Sequence, residues 1–228
     1  MSCNIDFVWL QQQLPEYQFL FSDLTIHGAV QFQAASLCTG EQVLSATALG
    51  LQREQIYFSG REKGVADLGR LFGMCRFIAN SWDELQEIDR IARLHQREET
   101  LEPVGLRVIP QRFDDGKQSG FSEGMLPALA GKIRTLPAIS VRGCFVQGEI
   151  EGLHGESLGR YFRECYEMAK RMTVILPCGM PYLCIVNGAI AACRNAVEHP
   201  ETLDAFLRQA NIVAAQNQTA FYAKLLMT

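Results

Sequence analysis

No lysine stands among the first 62 residues; the first is Lys63. Only a primary amine condenses with a carbonyl to give an imine, so the first strand has no residue for that chemistry. Other absences narrow the function classes. The eight cysteines form no CxxC pair, and the four histidines form no HxH or HExxH. The usual zinc spacings are therefore missing, and the reading is of no metal site. No GxGxxG loop occurs, which removes the usual dinucleotide fingerprint. Net charge is −4, and no basic run interleaves with aromatics, so the chain is not read as a nucleic-acid binder. Residues 1–13 contain Asp6 and no basic opening, so they do not read as a signal peptide. The most apolar window, residues 173–192, is interrupted by Pro177, Pro181 and Asn187, so no membrane helix is expected.

What remains is an ordinary apolar content, 48% hydrophobic against 20% charged, sufficient to bury a core without disulfides. Cys75, Cys144, Cys165, Cys184 and Cys193 sit inside apolar or helical patterns and read as reduced, mostly buried thiols of a cytoplasmic protein.

Short β-rich runs recur, each followed by a helical pattern. Extended segments are expected at 18–21, 30–36, 55–59, 76–79, 104–109, 139–146 and 174–176. Helices are expected at 41–49, 64–72, 81–95, 124–133, 157–172 and 201–226. Ser81 and Glu84, three apart, make a capping box. Gly50 fits a helix end. Alternation of strand and helix implies a parallel sheet, and about seven units without GxGxxG favour a barrel. The expected architecture is α/β, a single TIM-like (β/α) barrel of about seven strands, complete or not, with a helical C-terminal end. One domain spans 1–228, with the barrel at about 15–181 and a helical closure at about 182–228.

In their order, several segments are similar to the barrel of fold-type III pyridoxal-phosphate (PLP) enzymes. That family holds the ornithine and diaminopimelate decarboxylases and alanine racemase. The segments are 41–60 (EQVLSATALGLQREQIYFSG), 77–88 (FIANSWDELQEI), 105–121 with its Leu106–Arg107 pair, 141–149 and 174–181 (VILPCGMP). The resemblance covers about residues 15–181. It implies a barrel arginine at Arg107, a cofactor-facing position at Gln147, and a phosphate turn at Cys178 and Gly179. It also implies a Schiff-base lysine at the end of the first strand, where this sequence has Ser22, Asp23 and Leu24. The family's stacking histidine is matched by Gln147, and its triple glycine by Pro177, Cys178 and Gly179. Pro177 has no N–H to give a phosphate. The family's C-terminal β domain, which completes the site at a dimer interface, has no counterpart here.

Three functional expectations follow. The first is a degenerate relative that binds a small anionic metabolite or phosphate compound without the family chemistry. The second is an active decarboxylase or racemase with a relocated lysine, Lys63 or Lys117. The third is a structural or regulatory partner protein. Arg107 is either an anion contact or one half of an interior ion pair. Gln147 and Glu149 end a strand on the face where barrel enzymes carry their sites. Cys178 with His154 is geometrically open as a nucleophile and base. The resemblance leaves room for a homodimer or a partner chain, and for PLP as a ligand.

Overall fold

Ser81, Glu84 and the apolar stripe after them show how the helices arise here. In the computed structural model, which describes residues 7–21, 34–61, 63–95, 101–150, 152–176, 182–220 and 223–228, the Glu84 N–H donates to Ser81 Oγ at 3.2 Å. The helix behind that cap buries Leu85, Ile88, Ile91 and Ala92 at helical spacing. The first half of the chain runs α1 (Phe7–Gln13), β1 (Tyr17–Phe19), β2 (Ala35–Leu37), α2 (Gly40–Ala48), β3 (Ile56–Phe58), α3 (Val65–Arg70), β4 (Arg76–Ala79) and α4 (Trp82–His95). There follow β5 (Glu102–Ile109), β6 (Phe121–Ser122), α5 (Leu126–Ile133), β7 (Ile139–Val146), α6 (Gly155–Ile175), β8 (Tyr182–Ile185), α7 (Gly188–Asn195), α8 (Glu201–Ala220) and β9 (Lys224–Met227).

The strands pair in parallel in the order β1-β9-β8-β7-β5-β4-β3-β2, with β6 on β5. The sheet curls until its two ends meet at one point: Phe21, just beyond β1, bridges Ala35 of β2. This is the TIM-like α/β barrel architecture expected from the alternation, with eight strands along the curl.

Period-two alternation separates two cores. Ile56, Phe58, Phe77, Ala79, Val104, Leu106, Cys144, Val146, Leu183 and Leu225 point outward and pack under the helices. Leu20, Tyr57, Ile78, Phe145, Tyr182, Cys184 and Leu226 point inward and plug the barrel. Tyr182 needs space in that plug. Gly105 pairs with Gly143, which pairs with Tyr182. A Cβ on Gly143 would stand 2.2 Å from the Tyr182 ring, and one on Gly105 would stand 2.5 Å from its hydroxyl. The ring of Tyr57 lies 5.5 Å from those of both Phe145 and Tyr182.

Two expectations are corrected. Residues 174–176 are not a strand. α6 continues to Ile175, because Met168, Ala169, Met172 and Leu176 extend one buried stripe while Val174 faces solvent. Residues 182–228 are not a purely helical closure, since β8 and β9 both lie there. The last helix ends at Ala220, and Leu225, Leu226 and Met227 are taken up as a strand between β1 and β8. Of the strand expected at 30–36, residues 30–33 lie outside the described residues, and β2 begins at Ala35. Residues 22–24 lie outside the described residues, and so do Pro177, Cys178 and Gly179.

Candidate active site at the barrel mouth

Above the apolar plug, the next inward layer is polar. The inward phase of β3 runs Tyr57 then Ser59, that of β4 Ile78 then Asn80, that of β5 Gly105 then Arg107, and that of β7 Phe145 then Gln147. Each of these strands thus presents a polar residue near or just beyond its C-terminal end, the end where parallel barrels carry their sites. Ser36, Ser59, Asn80, Arg107 and Gln147 are all buried.

Arg107 organises this layer. Its Nε donates to Asn80 Oδ1 at 2.8 Å. One terminal nitrogen donates to Gln147 Oε1 and the other to the Ser59 carbonyl. All three acceptors are neutral. Arg107 therefore has no carboxylate in ion-pair contact among the described residues. Burial pushes the guanidinium pKa below its usual range, yet guanidinium remains a cation in proteins. Ser36 and Ser59 close the adjoining edge, hydroxyl to hydroxyl at 2.8 Å.

Lys63 joins the same network from the loop after β3. Its ammonium donates to the Gly60 carbonyl at 2.7 Å and pairs with Glu84 at 3.0 Å. The Gly60 carbonyl also accepts from Asn80 Nδ2 at 2.6 Å, so Lys63 and the Asn80–Arg107 pair share one acceptor. The Lys63 side chain is fully buried. Desolvation lowers its pKa to about 8, against the opposing pull of Glu84. Glu84 meanwhile accepts the Asn80 N–H at 2.8 Å, turning one carboxylate into the hub between helix start, strand end and lysine.

Lys117 is exposed, in a turn where its N–H donates to Asp115, and takes no part. Glu149 is half-buried, with its N–H on the Phe113 carbonyl at 2.8 Å. His154 lies against His199, ring centroids 4.0 Å apart. Leu176 follows the end of α6 and Tyr182 opens β8 at its N-terminal end, whereas Arg107 and Gln147 lie toward the C-terminal ends. The strand that runs into a tight turn is β8, followed by Asn187 at φ 59 and then α7. Two backbone donors there are engaged: the Asn187 N–H donates to Thr228 Oγ1 at 2.7 Å and the Ala189 N–H to the Thr228 carbonyl at 3.3 Å.

Among the described residues the mouth thus has an arginine suited to an anion, and its donors differ from those that the resemblance implies for PLP. The first strand lacks a lysine, the nearest buried amine is paired, and two N–H groups of the β8 turn already have partners. Asn80 and Ser59 escaped the sequence reading, although a polar residue in phase just beyond an apolar strand run is the signal that finds such positions; Lys63 was expected only as a relocated lysine.

Comparison with solved structures places the fold among the fold-type III PLP barrels. The arginine decarboxylase of Paramecium bursaria Chlorella virus bound to agmatine superposes with a TM-score of 0.70 at 13% identity, over 97% of this chain and 59% of that one. A diaminopimelate decarboxylase mutant from Helicobacter pylori, complexed with L-lysine, gives 0.71 at 13% with the same coverage. PipY of Synechococcus elongatus, solved without PLP, gives 0.65 at 14%, over 97% of this chain and 94% of that one. The chain therefore spans about three-fifths of the decarboxylases' length and nearly all of PipY's. No protein-family model matches the sequence, and no curated protein matches it. Among the described residues no helix is long and apolar enough to cross a membrane.

Proposed function

We propose that the barrel mouth binds a small anionic metabolite, a phosphate-bearing compound being the best fit, and that the protein does not run the family's imine chemistry. The observation that carries this reading is Arg107: a buried guanidinium with three neutral acceptors and no contacting carboxylate among the described residues. A buried charge without a counter-ion is costly, and an incoming anion relieves that cost. Lys63 and Glu84 cancel one another nearby, so the local excess is positive. Guanidinium is also the side chain whose geometry best matches phosphate or carboxylate. Cys75, Cys144, Cys165 and Cys184 are buried, and a cytoplasmic setting is part of this proposal.

A second reading has one specific support. Lys63, unlike Lys117, reaches the Arg107 network and carries a pKa near 8, so part of it is a free amine at neutral pH. Titration with pyridoxal phosphate, followed by borohydride reduction and intact-mass analysis, separates the two. The anion-binding reading expects no imine absorbance and no trapped adduct. An adduct mapped to Lys63 would replace it with a relocated catalytic lysine.

A further inference from the structure

Away from Arg107, three side chains from distant parts of the chain converge. His154 ends the loop between β7 and α6, His199 precedes α8, and Glu201 is the first residue of α8. We propose that His154, His199 and Glu201 form a site for one divalent transition-metal ion of the zinc class. The inference does not depend on how the barrel mouth is read.

The donor set comes first. Two imidazoles and a carboxylate are a typical zinc combination, leaving a fourth position for water. One ligand atom from each residue lies within 4.8 Å of the others, and His199 Nδ1 stands 3.7 Å from the Glu201 carboxylate. Bonds of about 2.0–2.2 Å in a tetrahedron separate donors by about 3.3 Å. The observed spacing is thus one rotamer adjustment from coordination, and His154 and Glu201 are exposed and free to make it. A cavity of about 310 Å³ borders the cluster, lined by Gly152, His154, Asn195, Glu198 and His199.

The backbone beneath is prearranged. The Gly155 N–H donates to Thr202 Oγ1 at 2.9 Å, and the Asn195 amide donates to the Leu153 carbonyl. The His154 N–H donates to Ser157 Oγ at 3.0 Å. About two turns further along α8, Arg208 bridges to Glu156 of α6. These contacts hold the loop after β7 against the start of α8, so both histidines are presented on fixed supports. The two imidazoles stack, ring centroids 4.0 Å apart and 14° from parallel. Neutral imidazole is the form that ligates. Glu198 and Glu201 add a negative field that draws cations. No sequence spacing discloses the site, because 45 residues separate the histidines. The ion would staple the β7 loop to α8 at the rim of the strand C-terminal face.

The test is titration of the full chain with cobalt(II), read by its visible d–d spectrum, with zinc competition by calorimetry. One equivalent should bind. His154→Ala, His199→Ala and Glu201→Gln should each weaken it by about tenfold or more. The metal-free melting temperature separates ligand loss from unfolding at these surface positions. His154→Gln and His199→Gln serve as the readout if an alanine variant melts early. Absence of binding, unchanged affinity in the histidine variants, or a thiolate-to-cobalt charge-transfer band would overturn the assignment.

Discussion

Gly143 and Tyr182 pose the sharpest steric test at the scale of single residues. A methyl group on Gly143 would penetrate the Tyr182 ring, which Tyr57 and Phe145 hold in place. Gly143→Ala should destabilise the fold by about 1–3 kcal/mol in urea titrations, and Tyr182→Leu in the same chain should recover part of that loss. Lys63 gives a pH signature. Its folded pKa of about 8 lies below the ordinary 10.5, so the unfolded chain holds the proton more tightly. Below pH 8 both states are protonated, and burial of the charge weighs fully against folding. As pH rises from 8 to 10.5, the folded state sheds the proton first. Wild-type stability relative to Lys63→Met should therefore rise across that window, by about 3 kcal/mol. A flat difference between the two proteins over that range would contradict the burial assigned to Lys63.

At the scale of elements, β9 decides the sheet. It pairs with β1 on one side and β8 on the other, and Leu226 points into the inner core fully buried. Leu226→Ala should lower stability by about 2–5 kcal/mol, measured by thermal or urea unfolding. Thr228→Val removes the hydroxyl that accepts the Asn187 N–H, at a smaller cost of about 1 kcal/mol. β9 was not legible in the sequence. Its four residues follow a long helix without a strong break, and their extended form is imposed by neighbours far away in the chain. The end of α6 misled in the opposite direction: Thr173, Val174 and Ile175 are β-branched, but Met172 and Leu176 keep the helical stripe, and tertiary burial outweighs local propensity. Elements with their own punctuation were legible, as in β4, the Ser81 start of α4, and β7.

At the scale of the whole molecule, the alternation of strand and helix was enough to read a parallel α/β barrel, and the superpositions agree at the level of the fold. The site was legible only in part. Arg107 and Gln147 stand together, because strand phase points both inward. Their partners come from β3, β4 and a helix cap, and such convergence is set by barrel closure rather than by local pattern. His154 and His199 illustrate the same limit, for they meet only through the packing of α6 against α8. Closure also explains how Asn80, Gln147 and Ser59, from three different strands, come to aim their oxygens at one guanidinium.

The most direct measurement is calorimetric titration of the wild type and Arg107→Met with pyridoxine 5′-phosphate, which carries the phosphate but no aldehyde and cannot form an imine. The anion-binding account predicts one-to-one binding to the wild type, weakened about 10–100-fold in the variant, as expected for loss of hydrogen bonds from a charged donor. Equal affinity in the two proteins, or no binding to the wild type, would contradict it.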